Sequence, residues 1–283
     1  MHPSPRINWT NTLFLTLTPL IGLVGTILLV VHGSFHWGTL WLALGLMAAS
    51  GISITGGYHR LFAHRSYQAS WPVRFFFLMF GIGAFEGSVL EWCTDHRNHH
   101  LHTDTDKDPY NIKRGFWFAH IGWLLMLDPT QRDFNNVKDL KRDALVRFQH
   151  TYFVPLAIFM GFLLPMGIAA LWGDPWGGLL IAGALRITAV QQTTFCINSV
   201  CHMFGKHEHA PEKSPRDNWI TALLTFGEGF HSFHHRFPVD YRNGFHFYHY
   251  DPTKWVIKLL SWVGLTKNLI KVNTTPKQPD LSL

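Results

Sequence analysis

WPVRFFFLMFGIGAFEGSVLEWCTDHRNHH, residues 71–100, decides the architecture. Trp71 to Trp92 is apolar enough to suggest a membrane span, although Glu86 and Glu91 interrupt it, and the last five residues are His96-Arg97-Asn98-His99-His100. If those five are helical, positions i, i+3 and i+4 share a face and present three imidazoles in one direction. Neutral imidazole is a ligand that iron, zinc and copper share, so such a fan is metal-ligand geometry. A second fan, His231-Ser-Phe-His234-His235, lies far downstream. One such run is compatible with a solvated loop; two in one chain point to a site that could hold more than one ion.

Two further stations carry histidine. In His59-Arg-Leu-Phe-Ala-His64 the spacing of five is a poor α-helical repeat, so the helix is expected to end between the two rings. In Asn198-Ser-Val-Cys-His202 the amide and the imidazole fall one turn apart on one face. Nine histidines and an amide exceed a tetrahedral zinc site and suit two metals with open positions for a small reactant. A ligating histidine needs its other ring nitrogen held, usually by a carboxylate or carbonyl. Glu91, Asp95, Asp104, Asp106, Asp108, Glu228 and Asp240 lie near the runs, unpaired by sequence alone. His102, His120, His207, His209, His246 and His249 fall outside the pattern and read as non-ligands.

Around these stations the chain is apolar. Residues 13–31 form a nearly uninterrupted run that matches the ~30 Å hydrocarbon core of a bilayer. Residues 37–55, 153–172 and 179–199 add three more spans, giving an all-α membrane protein with four transmembrane helices in two hairpins and a helical cap over the histidines. The run at 13–31 lacks a small-residue cleavage site and is expected to remain as an anchor behind a polar tail, 1–12. Trp255 to Trp262 reads as an amphipathic interfacial helix or as an ordinary packed one, and 273–283 as a disordered tail.

Orientation follows from the cations. Apart from Arg6 and Arg186, all of the 24 Lys and Arg residues lie between Arg60 and Arg147 or beyond Ser199, whereas both hairpin turns lack them. Basic loops stay cytoplasmic, so both termini, the central loop and the site are expected there. Residues 71–92 then cannot cross, because His59 and His64 would be parted from His96 to His100 by the bilayer. Arg186, inside a span, is expected to face a polar interior, to hold an anion, or to pair with an acid between helices.

Composition agrees with this class. Of 283 residues 47% are hydrophobic, 15% aromatic and 15% charged, which fits a membrane-embedded chain with a polar part. The net charge of +6 is not arranged as an aromatic-interleaved recognition segment, so a membrane surface, not nucleic acid, is the expected partner. Cys93, Cys196 and Cys201 form no CxxC pair and read as reduced thiols.

HRLFAHRSYQA at 59–69, EWCTDHRNHH at 91–100, DPYN at 108–111, GFWFAHIGWLL at 115–125, NSVCH at 198–202 and GEGFHSFHHRFPVDYRNG at 227–244 together resemble the membrane-bound fatty acid desaturases of the delta-9, stearoyl-CoA type, over about Trp37 to Leu265. The resemblance implies a dinuclear iron centre on His59, His64, His96, His99, His100, His202, His231, His234 and His235, with Asn198 holding a metal-bound water. It implies a kinked acyl tunnel, dioxygen as co-substrate, a saturated acyl chain carried on CoA or membrane lipid, and electrons from a separate ferredoxin or cytochrome-type donor. Vertebrate members carry a basic cluster after the GWLL stretch that helps hold the CoA phosphates; here Met126 to Asp133 is mixed, leaving Lys138, Lys141, Arg142 and Arg147 as candidate phosphate contacts. Arg186 is kept as a candidate anion contact, and Met47 and Gly51, beside Ala48, Ala49 and Ser50, as chain-length determinants. A diiron hydroxylase of alkyl or acyl chains and a His-rich metal transporter or sensor are the alternatives; a transporter would carry ionisable residues in several spans, and only Arg186 qualifies.

Overall fold

A computed structural model describes residues 6–127 and 133–273. The tail expected at 273–283 is described only at Asn273, and residues 1–5 and the centre of the mixed Met126 to Asp133 stretch also lie outside the described residues. Among the described residues four helices are long and apolar enough to cross a membrane: Trp9–Val31, Trp37–Ala63, Phe153–Ala170 and Pro175–His202. The shortest has 18 residues, about 27 Å.

Each boundary has a local cause. The first helix opens ahead of its apolar run because the Asn8 side chain accepts the Asn11 N–H at 3.1 Å, an N-terminal cap. Asp174 caps the fourth by accepting the Gly177 N–H at 2.9 Å, with Pro175 in the first turn, where no N–H is required. The second helix runs past Thr55, its last eleven residues, Ser53–Ala63, wound as a π-helix. The helix therefore does not end between His59 and His64, as the spacing had suggested. A π-helix bonds i to i+5, and the His64 N–H reaches the His59 carbonyl at 3.0 Å; five residues is the repeat that returns both rings to one face.

The Trp172 indole donates to the Thr39 hydroxyl at 3.0 Å and Thr39 donates to Asp174 at 2.5 Å, joining one end of the helices. At the other end the Asn8 N–H and Asn11 amide bond the Leu125 and Leu124 carbonyls at 2.8 and 3.0 Å.

Trp71–Ile82 is a 12-residue helix, about 18 Å long against a hydrocarbon core of ~30 Å. It packs on the second helix where side chains are missing: a Cβ on Gly57 would sit 2.5 Å from Phe77 Cβ, and one on Gly81 2.5 Å from the Tyr58 ring. Tyr58, Phe77, Leu78, Val89, Cys93 and Val146 fill the core beneath. Past a bend at Phe85 and Gly87, both at positive φ, the histidine helix Val89–His102 starts at a reciprocal capping box between Ser88 and Glu91.

Two short antiparallel pairs, Arg6–Ile7 with Met126–Leu127 and Gln68–Ala69 with Thr266–Lys267, depart from the all-α expectation. The helix Pro252–Trp262 buries Thr253, Lys254 and Ile257 and leaves Trp255, Leu259 and Trp262 outward. Arg186 donates to the carbonyls of Ala182, Gly83 and Gly161 at 3.0, 2.8 and 3.2 Å and to the Ser50 hydroxyl at 3.4 Å. Among the described residues no carboxylate pairs with it. Its neutral oxygen partners belong to the polar interior, and Gly83 contributes a carbonyl from the end of the Trp71–Ile82 helix.

Candidate metal centre

Folding collects the nine histidines of the four stations into two groups: His59, His64, His96, His100 and His234, and His99, His202, His231 and His235. Within each group the ligand nitrogens all lie within 4.8 Å of one another. The fans are divided between them. His96 and His100, four apart, join one group and His99 the other; His231 and His235 join the second and His234 the first. On an α-helix neighbouring residues diverge by about 100°, so two adjacent groups draw on one fan better than a single point does.

The nitrogens that meet are Nε2 atoms. His59 and His234 approach to 3.0 Å, His64 and His96 to 2.8 Å, His100 and His234 to 2.9 Å. In the second group His99 and His235 stand at 3.3 Å, and His231 lies 3.1 Å from both His202 and His235. Around an ion with metal–nitrogen bonds of roughly 2.1 Å, neighbouring ligand nitrogens would be about 3.0 Å apart at right angles and about 3.4 Å apart in a tetrahedron, so the separations in each group fit nitrogens that share an ion.

The outer nitrogens explain why Nε2 points inward. Nδ1 of His99 is 2.8 Å from Asp108, and Nδ1 of His59 is 2.7 Å from Glu228. Nδ1 of His202 meets the Ser214 hydroxyl at 2.6 Å, which donates in turn to Asp104 at 2.5 Å. A proton held at Nδ1 leaves the Nε2 lone pair for a metal. Of the other acids considered, Asp240 pairs with Arg242 at 2.8 Å and Asp106 is exposed.

Electrostatics favour the neutral form of six of these rings. Burial first, and then neighbouring rings, lower the pKa of His64, His96, His100, His234 and His235 well below the usual imidazole value, and bring His231 to about 3. For Glu228 burial works upward, but His59 and Arg60 together outweigh it and hold the carboxyl at about 2. Glu86 has weaker compensation, and burial raises it to about 7.

A cavity of about 530 Å³ abuts the cage, lined by His59, His96, His99, His231, Glu86, Glu91, Asp95 and Asn198 and by apolar side chains including Phe14, Leu15, Phe162 and Phe226. Met47, Gly51, Ile54, Thr55 and His59 line it from the second helix, a face about 18 Å long at helical rise. Gly51 is needed there, since a Cβ would lie 2.2 Å from the Phe226 ring. Arg186, Lys138, Lys141 and Arg142 are not lining residues; the last three are exposed on the segment after Val137.

Sequence reasoning overlooked two arginines. Arg60, 1% exposed, donates to Glu228 at 2.9 Å, to Asp251 at 3.1 Å and to the Tyr241 carbonyl at 3.0 Å, while Asn243 donates to the other Glu228 oxygen at 2.7 Å. Arg97 grips both Asp139 oxygens at 2.8 and 3.0 Å and the carbonyls of Phe62, Ala63 and Asn136. Each arginine directly follows a candidate ligand, and that repetition was the available signal. His120, outside both groups, meets Ser199 and Gln192 at 2.9 and 3.1 Å.

A family model for fatty acid desaturase matches residues 35–261. The chain is 45% identical over 273 residues to a probable acyl-CoA desaturase of Schizosaccharomyces pombe, covering 96% of this chain and 56% of that one. It is 43% identical to acyl-CoA desaturase 1 of Saccharomyces cerevisiae, covering 94% and 52%, and so spans about half the length of these yeast relatives. Against stearoyl-CoA desaturase 5 of Bos taurus the identity is 36%, over 92% of this chain and 78% of the relative. Four apolar helices, two converging imidazole groups and this match over most of the sequence lead to one assignment: the chain belongs to the fatty acid desaturase family.

Proposed function

We propose that this protein is an oxygen-dependent acyl desaturase that introduces a cis double bond, at the delta-9 position, into a saturated chain delivered as acyl-CoA. The observation that carries the reading is the contact between an apolar cavity and two groups of inward-facing imidazoles. Two iron ions are the metals proposed for them, since five and four nitrogens leave six-coordinate iron with open positions; when bound, iron supplies the oxidising power to remove hydrogen from an unactivated methylene pair. Asn198, on the cavity wall beside His99 and His231, is the residue proposed to hold a water in the group with fewer histidines.

The remaining work is positioning and exclusion of water. The acyl chain would lie along the Met47-to-His59 face with its methyl end toward Met47. The names of the relatives favour CoA as the carrier. Two electrons per turnover would come from a separate ferredoxin or cytochrome-type donor docked on the basic face, with the termini and site on the cytoplasmic side and the Trp71–Ile82 helix within one leaflet.

Fatty acid analysis of a host lacking unsaturated chains tests the activity. A new cis double bond is expected; a hydroxy acid would replace this reading with the hydroxylase. Purified protein supplied separately with acyl-CoA and acyl-lipid distinguishes the carriers. About two irons per chain are expected from iron-replete cells, and zinc alone with no oxidase activity after iron reconstitution would remove the iron proposal.

A further inference from the structure

We infer that His150, Ser88 and Glu91 form a proton relay running from the protein surface to the cavity wall. The inference rests on the desaturase reading, whose balance is R–CH2–CH2–R′ + O2 + 2 e− + 2 H+ → R–CH=CH–R′ + 2 H2O. Two hydrogens come from the substrate and two electrons from the donor. Neither source supplies the two protons, which must reach the cavity wall by another route.

The three residues are joined by short contacts. Nδ1 of His150 stands 2.7 Å from the Ser88 hydroxyl oxygen, which is 2.9 Å from Oε2 of Glu91. His150 is half-buried near the end of the helix Ala144–Thr151, and Glu91 lines the cavity together with Asp95, His96 and His99. The neighbouring Gln149 fixes the register, its side-chain oxygen accepting the Val89 N–H at 3.0 Å. Polarity along the chain is set by the carboxylate, which can only accept. Ser88 donates its O–H to Glu91 and accepts from the His150 Nδ1–H. A transfer breaks the His150 N–H and the Ser88 O–H, forms a new O–H on Ser88 and another on Glu91, and moves no electrons. Nε2 is then the atom at which His150 regains a proton.

A capping box needs only the serine hydroxyl and a Glu or Gln side chain at the third helical position. The contact with an imidazole from another helix is additional to it, and it links a half-buried titratable ring to a cavity wall.

The test uses the purified full-length, metal-loaded protein. Glu91→Gln preserves the capping box but cannot carry a proton, and His150→Ala removes the outer end. Both are expected to lower turnover at saturating substrate and donor by about 10²-fold, with metal content, acyl-CoA affinity and thermal midpoint unchanged. Imidazole in solution should restore His150→Ala and leave Glu91→Gln inactive. In the metal-free protein, the infrared carboxylate band that Glu91→Gln removes should shift in His150→Gln. Undiminished turnover in Glu91→Gln, a loss in His150→Ala that imidazole does not repair, or an unmoved band overturns the relay. A wild-type protein that makes no double bond defeats the desaturase reading instead, and the infrared result still judges the hydrogen-bonded connection.

Discussion

His234 illustrates how one side chain holds two stations together. Its Nε2 lies 3.0 Å from His59 and 2.9 Å from His100, so His234→Ala should cost the five-histidine group its ion and eliminate product, with membrane insertion unchanged. Elemental analysis should fall by about one metal per chain; undiminished metal content would remove His234 from the ligand set. Titration gives a second expectation. The folded-state pKa of His231 is lowered from 6.5 to about 3, so the unfolded chain binds protons first as pH falls. Stability present above pH 6.5 is therefore lost progressively toward 3. Glu228, lowered from 4.5 to about 2, contributes stability present above 4.5 that is lost in turn toward 2. Thermal midpoints of the metal-free protein should decline between about pH 7 and pH 4; a flat profile would contradict the burial of neutral imidazoles.

At the scale of elements, the π-helix Ser53–Ala63 makes a spacing of five workable. Inserting an alanine after Phe62 sets the two rings six residues apart, a spacing that neither α winding nor an i to i+5 pattern returns to one face. The five-histidine group should then bind metal poorly, while circular dichroism stays within a turn of wild-type helicity. Arg97 holds that helix end by its Phe62 and Ala63 carbonyls and ties it to Asp139. Lysine offers a point charge where a planar fork is required. Arg97→Lys should cost about 2 kcal/mol, roughly 4–8 °C in the melting midpoint for a chain of this size. An unchanged midpoint would show that the clamp carries little stability.

At the scale of the whole molecule, the cavity is assembled from all four long helices and the segments packed against them, and under the proposed function its length would set the acyl chain it accepts. Met47 lies about 18 Å along the second helix from His59. Met47→Trp should shorten the accepted chain, each excess methylene costing about 1–3 kcal/mol, or 10–200-fold in kcat/KM. Chromatography of products from mixed acyl-CoA substrates should show the longest one depleted. Unaltered chain-length preference would place the methyl end elsewhere. Gly51→Val should act in the same direction, because its new side chain would push Phe226 from its present position.

The sequence by itself determined the helices and the candidate donors. Long apolar runs are legible because a bilayer-length segment needs no distant partner to be recognised, and imidazoles three and four apart are legible because helical geometry is local. Tertiary structure alone decided how the donors are shared. His99 and His100 are adjacent in the chain yet join different groups, and His202 meets His231 at 3.1 Å, because each group forms where rings from three of the four stations converge. The winding between His59 and His64 was misread for the same reason. Arg97 and the buried packing of Gly57 and Tyr58 against Phe77 and Gly81 hold the π-helix in place, and no local spacing rule contains those contacts. Nor could the chain reveal that Arg186 serves the carbonyls of Gly83 and Gly161, since both partners are brought to it only when the helices pack.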